Sequence, residues 1–262
     1  MMRPVTIAAW LMAGAISLGT YSVRAGVDVL RLVPGSASGV LVINRLAATD
    51  AKLQAAGREM QLPLPSPLAM LKQFSNIREG VDETGSIALI TLPPEMKDAM
   101  PTPILLIPVM DYGKFLAQLN PEEAAAPISK VRVMNAPALV RNIAGYAALT
   151  DADHRPVLEN LKLADAVPGV VAPWRDWLAG NDAAVVILRP GIEQISSQAQ
   201  ERIQAAKKSM AKGPEQVRAV AGVMDVYTKL FQVAEREVAA LGLGLQLDKQ
   251  NALRLATSGP VC

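Results

Sequence analysis

One histidine and one cysteine are all that these 262 residues hold of the side chains most used for metal binding and for nucleophilic chemistry at neutral pH. A single cysteine, Cys262 at the last position, excludes an internal disulfide, so the fold must stand on packing. A single histidine, His154, excludes a multi-histidine metal site and a two-histidine proton shuttle. Aromatics make up only 4%, which leaves few platforms for stacking bases or sugars. A marked excess of charge of either sign is missing as well: 26 Lys and Arg stand against 24 Asp and Glu. Without a basic face to neutralise phosphates, nucleic acid is not an expected partner. No cofactor is expected, and no catalytic, cofactor-binding or metal residue is assigned.

Apolar residues are abundant instead, at 51%, with a mean hydropathy of +0.24. The length suits one large or two small domains with a real core. The first residues read MMRP, then VTIAAWLMAGAISLGTYSV without a charge, then Val23-Arg24-Ala25. A cationic start, an apolar run and a small-x-small end predict a signal peptide over residues 1–25, cut before Gly26. The other reading is a retained anchor, since residues 5–23 come close to bilayer-spanning length. Export to the periplasm or beyond is therefore expected, with membrane attachment only if that segment stays. Its removal takes away two arginines and leaves the remainder at formal neutrality.

Along the rest of the chain, apolar periodicity alternates between two types. GVLVI (39–43) predicts a strand and 45–60 a helix, with Leu46, Leu53, Ala56 and Met60 on one face. Ser66 and Pro67 start a further helix, as cap and first residue, and Gly80 stops it. SIALITL and PILLIPV predict two strands apolar enough to be covered on both faces. Asp111 caps YGKFLAQL; KVRVM, ALVRNI and YAALT read as strands, and 153–163 as a helix. Residues 166–182 form a connector.

AAVVIL (183–188) then restarts the same order. A striped helix follows, with Ile192, Ile195, Ala199, Ile203, Ala206 and Met210 on one side. Lys212-Gly213-Pro214 reads as stop, turn and start, before a second helix striped from Val217 to Leu241. LGLGLQL and ALRLA close as a hairpin, with Gly242 and Gly244 marking a thin strand face. Strand, helix, helix, strand, strand thus occurs twice. The expected organisation is a first module over 26–165, the connector, and a second, partial module over 183–262.

LVPGSASGVLVI, VDETGSIALITL, PILLIPVMDYGKFLAQL and GYAALTDADHRPVLENL resemble a family of exported bacterial proteins of unknown function. The resemblance covers most of residues 30–200 and implies an α+β fold of tandem ferredoxin-like modules, with no known active site. Members of that family generally run on past the point where this chain ends, hence the expectation of an incomplete second module.

Polar clusters are few. TDADH (150–154) places Asp151, Asp153 and His154 together, but neighbours at a helix start diverge, and the reading preferred is capping. Ser209-Met210-Ala211-Lys212 fits the S-x-x-K spacing of serine acylases, without a K-T-G or S-x-N partner. A serine triad would need His154, and no serine sits in a G-x-S-x-G turn. Trp174 and Trp177 suit core or connector packing better than a ligand platform. The 217–241 stripe suits packing within the chain, and is also the candidate surface for a protein partner. Glu235, Arg236 and Glu237 are expected on its wet side. The function expected is a non-catalytic binding or structural module of the cell envelope. An extracytoplasmic hydrolase is the alternative.

Overall fold

The computed structural model describes residues 28–64, 66–74, 77–94, 96, 99–133, 135–210, 224, 226–229, 231–233, 235–247 and 252–258. The predicted leader, the Lys212-Gly213-Pro214 turn, part of the 217–241 stripe and Cys262 lie outside them. Runs of Val, Ile and Leu bounded by Gly, Pro and Asn form the strands. These are β1 (Gly39–Ile43), β2 (Ile87–Leu92), β3 (Thr102–Pro108), β4 (Ser129–Val133), β5 (Ala136–Ile143), β6 (Tyr146–Asp151), β7 (Ala183–Leu188), β8 (Ala240–Gln246) and β9 (Ala252–Ser258). The helices are α1 (Leu46–Met60), α2 (Pro67–Phe74), α3 (Tyr112–Ala117), α4 (Arg155–Asn160), α5 (Arg175–Gly180) and α6 (Arg189–Met210). Described residues of 224–237 are helical too. The stripe does not stay helical to its end, because Leu241 already belongs to β8.

All nine strands join one antiparallel sheet in the order β4-β5-β6-β3-β2-β1-β7-β8-β9. The protein is α+β, as expected. The ferredoxin-like pairing is not what these strands make. That module separates two parallel strands by a third, and one helix carries the chain between them. Here β1 leads through two helices, α1 and α2, and a second reversal returns the chain antiparallel beside it. The stretches expected as two modules also meet strand to strand, since β1 bonds β7 from Gly39↔Ile187 to Ile43↔Ala183.

One sheet face is closed. Val40, Val42, Ala88, Ile90, Ile104, Leu106, Ala184 and Val186 are buried there, beneath a 3-10 turn (Val29–Leu32), α4, α5 and the connector. Trp174 and Trp177 meet edge-on, with ring centroids 6.5 Å apart, and Trp174 joins this core. They reach β8 because Gly242 lacks a side chain: a Cβ there would stand 2.6 Å from Trp174 Cζ3. At Gly244 it would stand 2.7 Å from the Asn181 amide. The thin strand face read from LGLGLQL thus receives the two tryptophans and Asn181.

The other face is closed at one end only. Phe115 and Leu116 of α3, with Ile77, cover Ile107, Val131, Val140 and Leu149. Toward β2, β1 and β7 that cover ends. Leu89, Leu41 and Val185 are therefore half-buried, whereas Ala88 and Ile90, on the opposite face of β2, are fully buried. The two-faced burial expected of SIALITL is corrected accordingly: apolar composition permits cover on both faces but does not supply it.

Caps fix the helices. Asp111 accepts from the Lys114 amide at 3.0 Å and Ser66 from the Ala69 amide at 2.9 Å, both as expected. Buried Asp50 of α1 also accepts from the Ser66 hydroxyl and from the Leu68 amide, so one helix caps the next. The stop expected at Gly80 comes earlier, since residues 77–80 are already outside the helix.

Candidate functional site

β7 runs straight into α6, and Leu188 is followed at once by Arg189-Pro190-Gly191. A proline in a first helical turn loses no bond, because that turn's amides have no partner within the helix. Arg189 and Glu193 pair at 2.9 Å one turn apart. Gly191 brings the helix down onto the Ser38 carbonyl, which a Cβ would approach to 2.3 Å. Beyond this contact α6 leaves the sheet, and a groove of about 440 Å³ opens between them.

Leu41, Leu89, Val185 and Ile187 form its floor. Gln194, Ile195 and Gln198 of α6 form one wall, and Met100 and Pro101 of the β2–β3 loop the other. Among the described residues, none that lines it is charged. Its hydroxyls are committed: Ser38 Oγ donates toward the Thr91 carbonyl at 3.0 Å and Thr91 Oγ1 at 3.1 Å, and Thr91 Oγ1 lies 3.4 Å from the Gly39 carbonyl. Met100 is 84% exposed and Ile195 49%, which makes the rim a pair of apolar side chains held in water. Such a groove can shed water against apolar matter and orient it through the Gln194 and Gln198 amides.

A buried polar knot lies where β1 ends and β7 begins. Asp182 is 2% exposed, takes the Lys52 ammonium at 2.6 Å and accepts from the Leu247 amide at 2.8 Å. Arg45 stands 3.6 Å away. Asn44 donates to the carbonyls of Leu178 and Asn181 and accepts from Ser86. The knot ties α1 and α5 to the ends of β1, β2, β7 and β8, through bonds both to the backbone and between side chains. Sequence reading missed it, although the NR of VINRL and the ND of LAGND, each beside an apolar strand, are its visible trace.

The residues singled out from sequence are scattered. Asp151 ends β6, Asp153 and His154 precede α4, and Ser209 lies in α6, on the far side of the sheet order. Lys212 lies outside the described residues. The capping role expected of TDADH is not taken. His154 is the residue before α4 and makes no side-chain cap bond, its Nδ1 being buried without a partner among the described residues. α4 is also shorter than the 153–163 expected, and Arg141 closes it by donating to the carbonyls of Leu158 and Glu159. No group of three or more His, Cys, Asp or Glu converges for a metal among the described residues.

Two tyrosines are electrostatically displaced. Burial, with Asp28 and Asp82 adding negative potential, pushes the Tyr146 phenol from 10.0 up to about 12. Burial alone raises Tyr112. Tyr146 belongs to the closed core, so its displacement is a stability matter.

Glu235 differs from its expected place on the wet side of the second stripe. It accepts from Ser196 at 2.9 Å and lies 3.3 Å from the Gln200 amide, clasping the helical residues of 224–237 to α6. Val226, Tyr227 and Val233 are exposed beside that clasp. No described helix is long and apolar enough to cross a membrane. No family model, no curated protein and no solved structure matches this chain.

Proposed function

We propose that this is an exported, non-catalytic binding module of the cell envelope, working through its half-open sheet face. The observation that carries the reading is the groove over Leu41, Leu89, Val185 and Ile187, which is apolar and, among the described residues, lined by no charge. Acid–base catalysis needs a titratable group within hydrogen-bond reach of the reacting atoms, whereas an apolar guest needs only area and exclusion of water. Exposed Val226, Tyr227 and Val233 extend apolar surface onto the helical pair and favour a protein as guest. The 1–25 leader is the basis for export.

The same reading includes a duplicated scaffold. Sheet order is symmetric about β1 and β7, with β2 then β3 outward on one side and β8 then β9 on the other. Registers agree as well. Leu41 and Val185 face each other at the centre, Leu41↔Leu89 corresponds to Val185↔Leu243, and Leu89↔Leu105 to Leu243↔Leu255. Leu92↔Thr102 likewise corresponds to Gln246↔Ala252. A local two-fold between β1 and β7 accounts for this agreement, and the groove lies on it. The unit repeated is strand, helical pair, strand, strand, in place of the ferredoxin-like one.

The test uses the neutral fluorophore N-phenyl-1-naphthylamine on the purified chain. Saturable enhancement is expected, lost in Val185→Glu and kept in Asp151→Ala. Turnover of an ester or peptide panel that His154→Ala abolishes would overturn the reading in favour of a hydrolase.

A further inference from the structure

We propose that the outer edge of β9 binds the β9 of a second copy, the two strands pairing antiparallel about Leu255 so that one sheet runs through both molecules. This rests on the duplication reading. Among the described residues, β4 and β9 are the edges of the sheet. An edge leaves alternate backbone N–H and C=O groups unpaired, and proteins pair such groups, cover them or guard them with charge. The first half of the chain records how the corresponding edge is treated. The outer side of β3 carries β6, with Leu105 opposite Leu149 and Pro108 opposite Tyr146. By the registers above, Leu105 corresponds to Leu255 and Pro108 to Ser258. At β9 the architecture therefore offers the edge that it fills with an antiparallel strand at β3.

Charge selects the occupant. β4 reads SKVRV, and both Lys130 and Arg132 are exposed, which guards that edge. Pairing β4 with itself about Val131 sets Lys130 opposite Arg132. Laying β4 on β9 with their central residues aligned sets Arg132 opposite Arg254. Like charges directly opposite are destabilising. Pairing β9 with itself about Leu255 sets Arg254 opposite Ala256 and Leu253 opposite Thr257, with no charges facing. This arrangement is also isologous and closes at two copies, where β4 on β9 would propagate.

The experiment uses the full chain carrying Cys262→Ser, with analytical ultracentrifugation and mild oxidation. Leu255→Cys places two thiols on the dyad, with Cα atoms about 4.5–5.5 Å apart as for directly opposed residues of an antiparallel pair. That separation suits a disulfide. The expected result is a dimer that oxidation makes covalent in Leu255→Cys, with no crosslink in Lys130→Cys. Leu255→Lys should abolish the dimer peak while the far-ultraviolet circular dichroism stays that of the parent. A parent chain that sediments as a monomer, or Leu255→Cys that fails to crosslink, overturns the proposal. The double variant Leu243→Cys/Leu255→Cys separates the two levels of the argument. If its internal disulfide forms while Leu255→Cys alone stays uncrosslinked, the docking fails and the β8–β9 register behind the duplication stands. If neither forms, both fall.

Discussion

Gly242, Asp182 and Tyr146 each hold one physical decision that can be checked alone. Adding a methyl in Gly242→Ala drives Cβ to 2.6 Å from the Trp174 ring, an overpacking that costs about 1–3 kcal/mol. Urea unfolding followed by tryptophan fluorescence should report that loss. Asp182→Ala strands the Leu247 amide and releases Lys52, and loss of its charge-assisted bonds should lower the urea-derived stability by about 2 kcal/mol. Tyr146 sets an alkaline limit. Its phenol ionises at about 12 when folded against 10.0 ordinarily, so the unfolded chain loses its proton first. The stability it contributes is complete below pH 10.0 and lost as pH rises toward about 12. Tyr146→Phe should flatten that part of a pH-dependent unfolding curve. Of these residues only Gly242 was legible beforehand, because glycines alternating with leucines announce a thin face. A buried carboxylate such as Asp182 looks like any surface acid until the chain is folded around it.

Elements were easier to read than their cover. Period-two and period-3.6 patterns located the strands and α1, α3 and α6 closely and the start of α2 but not its end, and local caps at Ser66 and Asp111 acted as their types demand. TDADH failed because a cap depends on which residue the tertiary path leaves at the helix start, and that residue is His154. Asp50 shows the same dependence in the other direction. It lies inside α1 yet caps α2, so Asp50→Ala should cost about 1–2 kcal/mol and loosen α2 rather than α1. Hydrogen exchange with mass spectrometry would reveal this as faster exchange over 67–74. SIALITL carries no mark of which face will be left half open, since that depends on where α3 ends its cover and where α6 leaves the sheet.

At the scale of the whole molecule, one sheet replaces two bodies. The β1–β7 pairing is a contact between strands far apart in sequence, and apolar order alone says that both exist without saying that they meet. The proposed leader belongs to this scale too. Mass spectrometry of the chain recovered from an expressing bacterium should give a mature form beginning at Gly26, and an intact Met1 would instead favour the anchor. Cleavage also removes Arg3 and Arg24, so the mature chain should focus at a lower pH than the 8.7 expected of the full sequence.

Composition and periodicity by themselves determined that this chain is apolar enough for a core and forms no internal disulfide, that two runs of its pattern read as strand, helix, helix, strand and strand, and that its lone imidazole cannot build a multi-histidine site. These are properties of local order and of counts. Tertiary structure alone decided that the two runs share one sheet, that two helices between β1 and β2 make them antiparallel neighbours, and that the face over Leu41 and Val185 stays half open. Those outcomes depend on which distant surfaces meet, and burial is a property of the pair that meets rather than of either segment.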